Sequence, residues 1–307
     1  MSGHRPGSAV RQTARPAGTR PRGPAGGVPL PACVFAGAIT ASGPKRPARA
    51  GGAGTAHDAG MAKSTAYDAA VKSWHWYSRD HALAAALLCR RCAELEHNPD
   101  PPGEQDRAQG LTWSTAQAAE HRTYAMGAVL TAFAFLEASV NELLASAAED
   151  QLEMGGGRGG LMGDERAALV GLQQAWGDRG PSLLERAQLV LHLLRRDPFN
   201  KGEEPFQSAD VLRRLRNALV HYRPEWRAVG GGRGDDRIAK DLTNLSIAPH
   251  PFATEGHSFF PDRCLGHGLA SWAWKTSLAF TDDFLTRVGV QPIHHDLRPR
   301  LTTGPAG

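Results

Sequence analysis

The chain is poor in several things, and each shortage excludes something. Four cysteines in 307 residues are too few for a disulfide framework, so the fold rests on a packed core in a reducing compartment, the cytoplasm. No run of about 18 consecutive apolar residues occurs, so no membrane-spanning helix and no membrane partner is expected. Strand signals are limited to short runs such as Asn244–Ala248, which argues against a sheet. Acids are almost missing from the start. Residues 1–60 carry seven Arg and one Lys against one acid, Asp58. The remainder holds 27 basic and 30 acidic side chains. The net charge of +4 therefore belongs to the leading segment. The overall charge is therefore poor evidence for a broad basic surface on the folded part, and any contact with RNA must come from a local cluster.

Residues 1–60 are rich in Gly, Pro, Ala and Arg and show no periodicity. Such a segment buries too little apolar surface to offset its ordering entropy and is expected to be disordered. Val28–Ala41 imitates the apolar part of a signal peptide, but Pro29 and Pro31 interrupt it. The composition also imitates a transit peptide, and the break at Met61 reads equally as the true start. An α-helical domain is expected over 61–290, followed by a flexible tail over 291–307 that includes His294 and His295.

The domain reads as all-α, a bundle of five or six helices. A first helix is predicted over Tyr67–Glu96, ended by Asn98-Pro-Asp-Pro-Pro102 and a polar loop to Gly110. Ser114 and Thr115 are candidate N-caps for a long second helix, Ala116–Asp150. In it Ala125, Val129, Ala132, Leu136, Val140, Leu143 and Ala147 recur at steps of three and four. Further helices are predicted over Asp164–Trp176, over Ser182–Arg195 with Pro181 at its first position, over Ser208–Tyr222 stopped by Pro224, and over Leu265–Val288. Residues 223–262 are Gly- and Pro-rich and read as irregular.

One short string carries chemistry: Arg216-Asn217-Ala218-Leu219-Val220-His221. On its helix Val211, Leu212, Leu215, Ala218, Leu219 and Tyr222 fill an apolar arc, while Arg214, Asn217 and His221 face away. Arginine is permanently charged and matches phosphate geometry. Histidine can move a proton near neutral pH. Together they suit metal-free cleavage of a phosphodiester. Positions 216 and 221 point about 140° apart on an ideal helix. They meet only if His221 leaves helical geometry or if two copies face each other across a two-fold axis. Arg-x4-His alone is expected about once by chance, but requiring Asn after Arg lowers that to about 0.02.

On the long helix, Glu137 and Asn141 are four apart on one stripe. A buried carboxylate needs a partner, and Arg216 or Arg213 is the natural one. Arg213, Arg214, Arg223 and Arg227 either hold RNA phosphates or form a solvated charge run. Cys89-Arg-Arg-Cys92 lacks a second such pair. Cys264-Leu-Gly-His267 would complete four ligands, but buried inert thiols are the simpler reading, so no metal and no cofactor is expected. Gly155–Gly160 and Gly230–Gly234 read as linkers, since neither lies between a strand and a helix.

These segments resemble the HEPN superfamily, whose mark is an Arg, usually followed by a polar residue, with a His four to six positions beyond. Arg216-Asn217-Ala-Leu-Val-His221 matches that pattern without a gap. Leu136-Glu-Ala-Ser-Val-Asn-Glu-Leu143 is similar to the helix that precedes it in these proteins. The resemblance covers roughly residues 120–290. It implies an all-α bundle, frequently a homodimer through the motif helix. It also implies, in many members, a metal-independent endoribonuclease acting in toxin–antitoxin or anti-phage systems, with an antitoxin protein as a further partner. Other members are non-catalytic binding or dimerisation modules. On the catalytic pattern, His221 is the general acid/base at the ribose 2′-OH or the leaving 5′-oxygen. Arg216 stabilises charge on the phosphate, and Asn217 orients it.

Overall fold

Small side chains at helical spacing begin the bundle. Ser78, Ala82, Ala85, Ala86, Cys89, Cys92 and Ala93 are the buried residues of α1, Tyr77–His97, and their steps of three and four form one narrow stripe. A stripe that small lets a second helix approach closely. That helix is α3, Thr115–Ala148, and the two run antiparallel. Ser78 Oγ donates to Glu142 Oε2 at 2.6 Å, the Leu88 side chain lies against Gly127, and Glu96 reaches His121 at the other end. These positions come from a computed structural model, which describes residues 75–148, 161–176, 180–222 and 237–304, apart from Ser246 and Glu255. All of them fall in one compact unit, Ala70–Gly307.

The described residues are all-α, as the periodicity predicts, with no strand among them. After α1 come α2 (Glu104–Ala108), α3, α4 (Gly163–Trp176), α5 (Leu183–Leu193), α6 (Phe206–Val220), α7 (Arg237–Asn244) and α8 (His267–Val288). α3 is the hub and packs against α1, α4, α5, α6 and α8. It is the one helix among the described residues long and apolar enough to cross a membrane by composition. Its apolar surface is spent on five neighbouring helices instead.

The helix boundaries match the sequence expectation at the start of α3 and differ elsewhere. Ser114 is the N-cap of α3: its carbonyl accepts from Ala118 N at 3.0 Å and its hydroxyl from Gln117 N at 3.4 Å. Pro181 does not open α5. Ser182 is the cap, tied to Glu185 through its N–H at 2.9 Å, as in a capping box. The polar loop before Gly110 contains α2, whose Asp106 accepts from Gly103 N and from the Thr115 hydroxyl at 2.7 Å. The stretch read as irregular contains α7, with Ile238 and Leu242 buried four residues apart. The expectations for residues 1–60 and for Gly155–Gly160 lie outside the described residues.

The expected flexible tail is corrected over 291–304. His294 is fully buried and bonds Asp282 of α8 at 2.9 Å. Leu297 and Leu301 join the core. Trp274 Nε1 donates to the Leu301 carbonyl at 3.0 Å, and Arg90 of α1 reaches the carbonyls of Arg300 and Thr302, both at 2.9 Å. The segment is polar in sequence because its polar groups are used for docking.

Candidate functional site

α6 sits on the bundle through Phe206, Ala209, Leu212 and Leu215, which are its buried residues. Val211, Ala218 and Leu219 are partly buried against the same core. The helix stops at Val220, so His221 is its C-cap, with φ −106° and ψ 27°. The predicted helix ran two residues further. Tyr222, assigned to the apolar arc, is 44% exposed, and Val220 is 50% exposed. The end of the motif helix is thus an open surface with two apolar side chains on it.

The three motif residues divide into two environments. Arg216 is half-buried. Its guanidinium lies over the ring of Phe133 on α3, 5.4 Å from the centroid, and donates to Asn217 Oδ1 at 3.0 Å. His221 is exposed; its backbone N–H donates to the Asn217 carbonyl at 2.9 Å. No hydrogen bond joins its ring to Arg216 or Asn217 among the described residues. Asn217 therefore stands between them, holding Arg216 with its side chain and His221 with its carbonyl. Within one chain Asn217 bonds the Arg216 guanidinium and the His221 backbone N–H, and neither bond involves the imidazole.

The residues expected to support the motif are elsewhere. Glu137 is half-buried and bonds neither Arg216 nor Arg213. Asn141 is exposed and accepts from Arg186 of α5 at 2.9 Å. The expected acid–amide cluster with α6 is not formed: Asn141 bonds Arg186 of α5, and Arg216 stands over Phe133 instead. Arg213 is held by Asp210, Nη2 to Oδ1 at 2.7 Å. Arg214 pairs with Asp241 of α7 at 2.8 Å. They border a groove of about 770 Å³. Lys201, Arg213, Arg214 and Arg237 face Glu185, Glu204, Asp210 and Asp241 there, so its charges balance and it is no phosphate funnel. Arg223 and Arg227 lie outside the described residues.

A second cluster went unnoticed in the sequence, where its only signal was Cys92 and Glu96 at helical spacing of four. Glu96 Oε1 accepts from His121 Nε2 at 2.7 Å and from His267 N, the first residue of α8, at 2.7 Å. Burial raises the Glu96 pKa, but these bonds outweigh it and leave the carboxyl below its ordinary value. His250 bonds the Asp262 carbonyl through Nε2 at 2.8 Å, and burial pulls its pKa down. Cys92 is buried beside Glu96, and desolvation pushes its thiol up. Cys89 is buried in the core and pushed up to about 12, again by desolvation. Burial of both thiols disfavours the thiolate that a reactive pair needs.

Comparison with protein-family models, with curated proteins and with solved structures returned no match.

Proposed function

We propose that the chain is a HEPN-like, metal-independent endoribonuclease that works as a homodimer through the C-terminal end of α6. One observation carries this reading. The uninterrupted Arg216-Asn217-x3-His221 string ends α6 at a surface where His221, Val220 and Tyr222 are exposed. An exposed imidazole flanked by exposed apolar side chains suits a site completed by a second copy.

The chemistry follows from the groups. The ribose 2′-oxygen attacks phosphorus as His221 takes its proton, and the bond to the 5′-oxygen breaks with that oxygen reprotonated. The products are a 2′,3′-cyclic phosphate and a free 5′-hydroxyl. Arg216 stabilises the charge on the phosphoryl oxygens. DNA, without the 2′-hydroxyl, is not a substrate. A regulated toxin or anti-phage effector in the cytoplasm, restrained by an antitoxin protein, is the role this chemistry fits.

A specific observation favours a second reading, a non-catalytic dimerisation module of the same superfamily. Arg216 already has two partners inside its own chain, Phe133 and Asn217. The full chain incubated with mixed RNA in magnesium-free buffer separates the readings. Cleavage to cyclic phosphates, lost in His221→Ala, supports the enzyme. A folded dimer without turnover leaves the module.

A further inference from the structure

The junction of α1, α3 and α8 holds polar groups that the ribonuclease reading leaves unused. Cys92 and Glu96 are four apart on α1 and share a face. The antiparallel packing of α3 brings His121 to that face. Among the described residues these three are the one group of His, Cys, Asp and Glu side chains at metal-ligand spacing: one ligand atom of each lies within 4.8 Å of the other two. Cys92 Sγ stands 3.9 Å from Glu96 Oε1, and His121 Nε2 stands 2.7 Å from the same oxygen. Cys92 and His121 are fully buried, whereas the Glu96 side chain is 21% exposed. Solvent therefore reaches the cluster at its carboxylate.

A tetrahedral zinc, with bonds of about 2.3 Å to sulfur and about 2.0–2.1 Å to nitrogen and oxygen, sets neighbouring donors roughly 3.3–3.6 Å apart. The sulfur–oxygen distance here is longer than that and the nitrogen–oxygen distance shorter. A shift of the Glu96 carboxylate toward Cys92 corrects both at once. The protons balance: the thiol gives its proton to solvent, and the His121 proton passes from Nε2 to Nδ1, as a metal-bound neutral imidazole requires. His121 Nδ1 is buried and has no hydrogen-bond partner. The ring of His250 lies beside that of His121, 5.0 Å between centroids. A carbonyl only accepts, so His250 Nε2 donates to the Asp262 carbonyl and its Nδ1 is a bare lone pair. That atom is also buried and unpartnered. Each unpaired buried polar atom costs about 1–3 kcal/mol. With a metal on Nε2, His121 Nδ1 becomes a donor next to a ring that offers an acceptor, and outer partners of this kind orient metal-bound histidines.

We infer that Cys92, Glu96 and His121 bind a zinc ion through Sγ, a carboxylate oxygen and Nε2, with a solvent molecule as the fourth ligand. Thiolate, carboxylate and imidazole are all zinc ligands, and the sulfur disfavours magnesium and calcium, which take oxygen. The arrangement departs from the inert thiols expected from the sequence. It uses one cysteine of the Cys89/Cys92 pair. His250 stays outside the ligand set, as do Cys264 and the His267 ring, which meets the Thr303 carbonyl. Glu96 also accepts from His267 N at the start of α8, so an ion here would tie α1, α3 and α8 together at one point.

The test uses the full chain, purified without chelator, and the metals zinc and cobalt(II). Elemental analysis is expected to find about one zinc per chain, and cobalt reconstitution a near-ultraviolet thiolate-to-cobalt band. Cys92→Ser is expected to abolish that band, while Cys89→Ser, buried on the same helix but outside the set, keeps it. Glu96→Gln keeps the side chain's size and its acceptor for His267 N, and decides the matter should Cys92→Ser fail to fold. It is expected to weaken zinc by at least the roughly 10–100-fold that loss of an outer partner costs. His250→Phe is expected to keep the cobalt band. Arg216→Ala and His221→Ala should keep the full equivalent of zinc, which separates this site from the ribonuclease reading. A folded wild-type chain that takes up neither metal overturns the proposal. So does a cobalt band that survives Cys92→Ser, or a folded Glu96→Gln chain that binds zinc as tightly as wild type.

Discussion

The guanidinium carbon of Arg216 stands over the ring of Phe133, 5.4 Å from its centroid. The cation of the motif is thus positioned by α3, one helix away, as well as by Asn217. A half-buried guanidinium over a ring gains roughly 0.5–2 kcal/mol from that contact. Arg216→Lys keeps the charge but loses the planar fork, and the two are not interchangeable at a stacked site. On the proposed chemistry it should lower RNA cleavage by about 10²–10³-fold and cost about 1 kcal/mol of stability. Single-turnover cleavage and urea unfolding of the same preparation check both numbers.

His221 should behave differently. It is exposed at the C-cap, where a protonated imidazole gains at most about 1 kcal/mol from the helix dipole. His221→Ala should leave the melting temperature within a few degrees of wild type. Cleavage should fall about 10²–10⁴-fold if the ring moves the proton. A variant that unfolds or dissociates while RNA is untouched throughout would transfer His221 to the structural reading.

How far the sequence reached is clearest in these helices. α3 and α6 were legible because their apolar residues repeat at three and four. α7 was not: only Ile238 and Leu242 are buried, and two apolar residues in a Gly- and Pro-rich stretch carry no period. Periodicity also gives a stripe without naming its neighbour. Glu137 and Asn141 do share a stripe of α3, but Asn141 faces Arg186 and Arg216 found an aromatic ring instead of the acid. The pairing of His121 with Glu96, 25 residues apart, needs the antiparallel turn between α1 and α3, and no local pattern encodes that.

Gly266 makes a separate prediction about the junction of α1 and α8. Its backbone is extended, with φ −144° and ψ −172°, so conformation alone would admit any residue. Space does not. A Cβ there would stand 2.5 Å from His250 Cβ and 2.7 Å from Glu96 Oε1. The first contact is to an atom bonded directly to the backbone, which cannot swing away. Gly266→Ala should destabilise by about 1–3 kcal/mol, seen as a lower melting temperature in calorimetry. Gly171→Ala, where a Cβ meets nothing within 4 Å, is the matched control and should be neutral or stabilising.

Asp282 links stability to pH. Burial works against its charged form, but His294 and Arg298 bond both carboxylate oxygens and hold its pKa below the ordinary value. The folded pKa is the lower one, so on acidification the unfolded chain binds the proton first. The contribution is complete above the unfolded carboxylate value of about 3.9. It is lost as pH falls through the folded pKa. Asp282→Asn removes the charge that anchors His294, and with it the 291–304 segment. At pH 7 it should cost about 1.5–3 kcal/mol, the range for a hydrogen bond to a charged group. The gap between wild type and variant should narrow at pH 3. Urea titrations at the two pH values decide it; an equal gap at both would show that the Asp282 charge contributes nothing to the fold.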